Sequence, residues 1–486
     1  MHSLELSSRD VSRVEESQAN KSLRIKSLDC AVSAMTRAEL VTLRRDLHQH
    51  PEPAWREFYT TARLVDELTT RDLDEIYIGP EVLGGDRRGV PDDEEISTWR
   101  TRAKEAGARE DVLEQLSDGW TGVCAVIKCG PGPTIGLRVD IDGLPITEST
   151  DDAHQPASEG FRSEMDGHMH ACGHDAHAAI GIGVLDAIIE TTNLDAEKTH
   201  QETSETAVDE GIIGDNTSEF TGTLKIFFQP GEEQIVGGKP MAASGRLDDI
   251  DALFAVHIGL DHPSGEVVAG IDNFLAVSHF EAEFTGMPAH AGARPEDGDN
   301  AVQAMATAVQ NLYAVPRHTD GATRVNAGVV SGGTATNIIP EHAMIQGEVR
   351  GETTELMEYT ESKATQVLES AATMHDCEVE ITTAGRAPSA TSDDMLADIV
   401  ATVATDIDDI NSIIRSDDLG GSEDATFLMR RVQQRGGVAA YIGVGTDHPG
   451  GHHTDTFDID EASIGHGVEI LTNAIMKAEH ELQTSE

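Results

Sequence analysis

The chain has 486 residues, of which 87 are acidic and 35 basic, for a formal charge of −52. That length leaves room for two or three domains with full hydrophobic cores, and the charge excludes a general electrostatic grip on nucleic acid or anionic lipid. Acidity on this scale suits a surface hydrated in concentrated salt, where a Debye length of roughly 3 Å at 1 M screens self-repulsion, so the sequence reads as halophilic. No stretch approaches the roughly 20 apolar residues of a membrane span, and the polar opening has no secretory apolar region. Cys30, Cys124, Cys129, Cys172 and Cys377 are odd in number and scattered, which points to a reducing, cytoplasmic setting rather than a disulfide framework.

Residues 1–33 are polar with little periodicity and read as a tail. A larger body is expected to begin over 34–273, opening with helices at about 37–47 and 60–68 and a third through EEISTWRTRAKEAG. Four short apolar runs, at 122–128, 134–139, 223–228 and 252–257, then predict strands buried on both faces. Between them Ile180, Val184, Leu185 and Ile188 share one helical face. Alternating strands and helices predict an α/β fold with a mostly parallel sheet. The segment 192–218 is acidic and poor in large apolar residues and reads as a surface insertion. From 274 to 386 the pattern becomes β-α-β-β-α-β, the order of an inserted ferredoxin-like domain, before the chain re-enters the larger body over 387–486.

Chemistry gathers where the predicted strands end, the usual ligand position of an open α/β sheet. Cys172, His174, Asp175 and His177 open a helix in GHMHACGHDAHAA, where a thiolate and an imidazole two residues apart can reach one metal. An apolar strand runs straight into Glu232 and Glu233 in IFFQPGEEQ. Buried strands rarely end in two carboxylates without a cation nearby. His257 ends the run ALFAVH and His453 lies in GHHTDTFDID; either alone reads equally as a packed or surface histidine. Together Cys172, His174, Glu233, His257 and His453 suffice for two divalent ions. Asp140 and Asp142, closing another strand, read either as supports for a ligand histidine or as solvated strand-end residues.

RRDLHQHPE, GLRVDIDGLP, MHACGHDAH, FFQPGEE, AVHIGLDHPSG, FTGMPAHAGARPEDGDNAV, NIIPEHA, GSEDATF and GHHTDTFDIDE occur here in the order found in the dinuclear metallopeptidase and amidohydrolase family. The chain resembles that family, which includes hippurate hydrolases, auxin-conjugate hydrolases and carboxypeptidase G, over essentially 36–482. Segments such as GWTGVCAV, RVNAGVVSGGTATNIIP and RVQQRGGVAAYIGVGT resemble most the branch that cleaves p-aminobenzoyl-glutamate.

The resemblance implies a metal-dependent amidohydrolase acting on N-acyl or N-aroyl amino acids. Its metals, Mn²⁺ or Zn²⁺ with Co²⁺ a third option, would be held by Cys172, His174, Glu233, His257 and His453. It implies Glu232 as general base and Asp142 as a carboxylate beside the metals. The inserted domain would form a dimer contact, with His290 reaching a neighbouring active site, and the assembly would be a homodimer or a pairing with a homologous subunit. Asn337 and Arg350 match positions that hold the substrate carboxylate, and a sheet-edge ion pair is the other reading of Arg350. Asp140 stands where peptidase branches place a ligand histidine; FFQPGEE has Gly for the common Ala, and GHHTDTFDID lacks a Pro often found after the terminal ligand. The competing expectations are a broader N-acyl-amino-acid deacylase or hippurate hydrolase, and a non-catalytic partner subunit.

Overall fold

Four largely apolar runs, Thr223–Gln229, Thr134–Asp140, Ala252–Ile258 and Val438–Val444, lie side by side and parallel at the centre of an eight-stranded sheet. Continuous hydrophobicity is what a strand covered on both faces requires, and every residue of Ala252–Ile258 is buried. The computed structural model describes residues 35–198 and 219–484. The expected tail of residues 1–33 lies outside the described residues. So does most of the expected 192–218 insertion, although 192–198 continue the helix His174–Lys198 instead of beginning a loop.

The sheet is mixed rather than mostly parallel. Val123–Lys128 pairs antiparallel with Thr223–Gln229, and Glu75–Ile78 antiparallel with Val123–Lys128. On the other flank Glu266–Val268 runs antiparallel to Val438–Val444, with Ser412–Ile414 parallel outside it. The reason is in the connections. The segment 129–133 is too short for a crossover helix, so the strands it joins run in opposite senses.

Helices Arg37–Gln49, His174–Lys198 and Ala462–Thr484 cover one face over a core that includes Leu43, Leu47, Ile180, Val184 and Leu471. Gly183 lets two of them approach closely, since a Cβ there would lie 2.5 Å from Val468 Cγ2. Thr426–Gln434 covers the other face, over Phe227, Leu253 and Tyr441.

Between Asp272 and Ala387 the chain builds a separate four-stranded antiparallel sheet. Its strands stand in the order Thr323–Gly332, His342–Gly351, Ala276–Thr285, Glu378–Ala387. Helices Ala301–Leu312 and Thr354–Met374 supply Ala304, Ala308, Leu312, Ala364 and Leu368 to its core. The two sheets meet where Arg386 N–H donates to Ile235 O at 3.2 Å.

Candidate metal centre

The centre forms at the carboxyl ends of the parallel strands. After Gln229 the chain turns through Gly231 at φ 69°, a conformation that favours glycine, and three successive N–H groups point at buried carboxylates. Gly231 N donates to Glu57 Oε1 at 2.8 Å, Glu232 N to Asp142 Oδ1 at 3.1 Å and Glu233 N to Asp142 Oδ2 at 3.0 Å. Thr121 Oγ1 donates to the other oxygen of Glu57 at 2.7 Å. The backbone of the Gly231–Glu233 turn is thus fixed by hydrogen bonds to the buried side-chain oxygens of Glu57 and Asp142, leaving the Glu232 and Glu233 side chains to face the centre.

Two imidazoles are held in one tautomer. His174 Nδ1 lies 2.9 Å from the carbonyl oxygen of Asp142, and His257 Nδ1 lies 2.8 Å from that of Ile258. A carbonyl only accepts, so each Nδ1 carries the proton and each Nε2 faces inward. His257 Nε2 is 3.4 Å from Cys172 Sγ. His174 Nε2 is 3.8 Å from Glu233 Oε1 and 3.9 Å from Glu232 Oε2, and His453 Nε2 is 3.4 Å from Glu233 Oε2. All five ligands expected from the sequence therefore converge, in groups Cys172–His174–His257 and Cys172–Glu233–His453 whose donor atoms lie within 4.8 Å of one another.

This donor set fits divalent cations. His174 Nε2 and Glu233 Oε1 are both buried without a hydrogen-bond partner although they face each other, an arrangement that costs free energy unless something binds between them. Burial and the Glu233 charge push the Cys172 thiol well up, and burial with the neighbouring Glu423 charge does the same to Glu232. Burial raises Glu233 to about 8 despite the opposing His174. Burial works against a charged His174, yet the Asp140 carboxylate holds it well above the ordinary imidazole range. The centre retains protons because it carries more negative charge than its own side chains neutralise, and bound cations relieve the same excess.

A buried network beneath the centre is not evident from the sequence. Arg138, fully buried, pairs with Asp140 Oδ2 at 2.8 Å, Glu423 Oε1 at 3.0 Å and Asp424 Oδ1 at 3.5 Å. Tyr441 donates to Glu423 at 2.7 Å. The other oxygen of Asp140 takes His177 Nδ1 at 2.5 Å, and His177 Nε2 accepts Ile258 N at 2.8 Å. Both nitrogens of His177 are thereby used, and Asp140 acts as a support. Asp142, expected beside the metals, holds the Glu232–Glu233 turn and orients His174. The signals for Glu423 and Asp424, and for Arg138, are the motifs GSEDATF and GLRVDIDGLP, whereas nothing local marks Glu57.

A cavity of about 380 Å³ opens over Cys172, Glu232, Glu233, His257 and His453, with Arg350 in its wall. Arg350 is forked onto Glu348, both contacts at 3.0 Å, while Nη1 lies 3.4 Å from Ser422 Oγ. The ion pair and the cavity position coexist. His290 and Asn337 do not line this cavity. They sit together on the exposed face of the second layer, where His290 pairs with Ile338 and Ala291 N donates to Asn337 O at 3.0 Å.

Known proteins share this architecture. The model of peptidase family M20/M25/M40 matches residues 136–201 and 212–477. Indole-3-acetyl-aspartic acid hydrolase of Enterobacter agglomerans is 38% identical over 89% of this chain and 94% of its own length. A p-aminobenzoyl-glutamate hydrolase subunit of Escherichia coli K12 is 37% identical over the same shares, 89% and 94%. The crystal structure of an aminobenzoyl-glutamate utilization protein from Klebsiella pneumoniae superposes with a TM-score of 0.73 at 32% identity, covering 90% of this chain and 95% of that one.

Proposed function

The chain belongs to peptidase family M20/M25/M40 and is a hydrolase of amide bonds, and on that premise we propose that it cleaves N-aroyl or N-acyl derivatives of acidic amino acids, p-aminobenzoyl-glutamate first among them. The observation that carries the reading is the convergence of Cys172, His174, Glu233, His257 and His453 on two buried, unpartnered donor atoms, with Glu232 alongside. These five would hold two divalent ions, Mn²⁺ or Zn²⁺, with Co²⁺ a third option. When bound, such ions polarise an amide carbonyl and make water a nucleophile at neutral pH.

The chain's own residues supply the rest. Glu232 takes the proton of the attacking water on its carboxylate and returns it to the leaving amine nitrogen. Asp142 and Glu57 hold the Glu232 backbone while this happens. Arg350 lines the cavity and receives the substrate carboxylate, offsetting the repulsion an anion meets at a strongly acidic protein. The four-stranded layer is a ferredoxin-like domain inserted between catalytic segments 34–273 and 387–486, and it carries dimerisation with itself or with a homologous protein. His290 of the partner subunit would then donate to the developing oxyanion, with Asn337 nearby. Among the described residues no helix is long and apolar enough to cross a membrane, which agrees with a cytoplasmic enzyme.

Relatives named for an indole-3-acetyl-aspartate and for a p-aminobenzoyl-glutamate activity share an aromatic acyl group on a dicarboxylic amino acid. A substrate panel separates the readings. Release of glutamate from p-aminobenzoyl-glutamate at the highest kcat/KM supports the proposal, whereas preference for hippurate or acetyl-amino acids favours a broader deacylase. Silence on every substrate at full metal occupancy overturns the catalytic reading in favour of a non-catalytic partner.

A further inference from the structure

We propose that Asp261, His448 and His452 form a further divalent-cation site in the cavity wall, separate from the Cys172–Glu233 cluster. Their donor atoms lie within 4.8 Å of one another. The two imidazole rings meet at 4.7 Å and 65°, so they are neighbours across a turn rather than stacked plates. His452 Nε2 lies 3.2 Å from the carbonyl oxygen of Ile258 and therefore donates, which leaves its Nδ1 as a lone pair. His448 Nδ1 is shielded from solvent and has no hydrogen-bond partner.

The backbone beneath is shaped for this approach. Gly259 has φ 87°, and a Cβ there would lie 2.6 Å from His452 Cε1 and 3.4 Å from His448 Cδ2, so any larger residue would force the rings away. Leu260 and Asp261 follow at φ 54° and 63°, two non-glycine residues in succession in the left-handed region. They are the central residues of a turn closed by His262 N–H donating to Gly259 O at 3.1 Å, and that turn brings the Asp261 carboxylate to the two imidazoles. Two imidazoles and one carboxylate suit Zn²⁺ or Co²⁺, with coordination positions left open. Asp261 and His452 line the same cavity as the Cys172 cluster. A cation held there would add positive charge to a wall that also contains Asp417, Asp418 and Glu423, and would favour the anionic end of a bound molecule.

Packing of His448 and His452 against Phe457, at ring separations of 5.7 and 4.9 Å, is the competing explanation for the cluster. It does not account for the shielded His448 Nδ1 or for the approach of the Asp261 carboxylate to both rings. The test counts ions as a difference, so it holds whether the Cys172 cluster takes one ion or two. The full chain is stripped with chelator, dialysed against buffered Zn²⁺ and analysed for metal, beside His448→Ala and the exposed Asp261→Asn. Wild type is expected to carry one equivalent more than either variant. With Co²⁺ in place of Zn²⁺, both variants should keep the thiolate-to-metal absorption that reports Cys172. Equal Zn²⁺ content in wild type and either variant overturns the proposal. So does loss of the Cys172 absorption together with the metal, which would make His448 a support of the main centre.

Discussion

Replacing Asp142 with Asn tests how the Glu232–Glu233 turn is held. The carboxylate accepts the N–H groups of Glu232 and Glu233 at 3.1 and 3.0 Å, and it is 1% exposed. An amide keeps one acceptor oxygen and places an NH₂ against the second N–H, so one charge-assisted bond is lost and one buried donor is stranded. Each of these is worth about 1–3 kcal/mol. On the proposal that Glu233 ligates the metal and Asp142 supports it, we expect the loss to surface as about 10–100-fold weaker metal binding, the usual effect of removing a group that orients a ligand. The measurement is competition with a chromogenic chelator, with circular dichroism as the check on folding and Asp248→Asn, an exposed surface change, as control. Metal affinity within twofold of wild type, combined with a large loss of kcat, would refute the reasoning and place Asp142 on the substrate instead.

Arg138→Met removes the counter-charge of Asp140, Glu423 and Asp424, and a loss of about 3–5 kcal/mol is expected, read as a large drop in Tm; an unchanged Tm would show that the network contributes little. Burial and the Arg44 charge oppose protonation of His48, but its bonds to Asp175 and Glu148 raise it to about 9, above the ordinary 6.5. Its contribution to stability, about 3 kcal/mol, is therefore complete below pH 6.5 and lost as pH rises through 9. His48→Gln should flatten that part of the stability–pH profile, and identical profiles would contradict the assignment. Ile235, a β-branched residue at φ 57°, bends the chain two residues after Glu233. Ile235→Gly should lower kcat without lowering Tm, because strain of about 1–3 kcal/mol is released, and a fall in Tm with unchanged kcat would show the bend to be structural only. The charge of −52 predicts that Tm rises steeply between 0.1 and 2 M KCl as repulsion is screened, and a flat response would remove the halophilic reading.

Much of the molecule is legible in the chain because it rests on local pattern. The runs at 134–139, 223–228 and 252–257 are largely apolar and form central strands, and the candidate donors His257 and Glu233 stand at or just beyond the ends of the last two, as the logic of open sheets requires. Strand direction is less legible. That Val123–Lys128 runs antiparallel follows from the short segment 129–133, whereas apolar content alone does not encode direction. Glu57, Arg138 and His177 are a different case: the last two stand inside the motifs GLRVDIDGLP and MHACGHDAH, but the contacts of all three are not legible. Each acts through partners distant in sequence, Glu57 on Gly231, Arg138 on Glu423 and His177 on Asp140 and Ile258, and such pairings exist only once the sheet has formed. Arg350 reads from sequence as either a carboxylate receptor or one half of an ion pair. It is paired with Glu348 and faces the cavity, so the sequence poses a choice that the geometry does not require.

The central claim is that a metal-loaded centre served by Glu232 hydrolyses the amide. The most direct measurement is glutamate release from p-aminobenzoyl-glutamate in molar salt by chelator-stripped protein, before and after addition of Mn²⁺ or Zn²⁺, with Glu232→Gln in parallel. The account predicts no release from stripped protein and restoration on metal addition. It also predicts a loss of at least about 10²-fold in kcat for the variant, which should still bind its full complement of metal. Undiminished turnover after stripping, or a Glu232→Gln enzyme as fast as wild type, would contradict it.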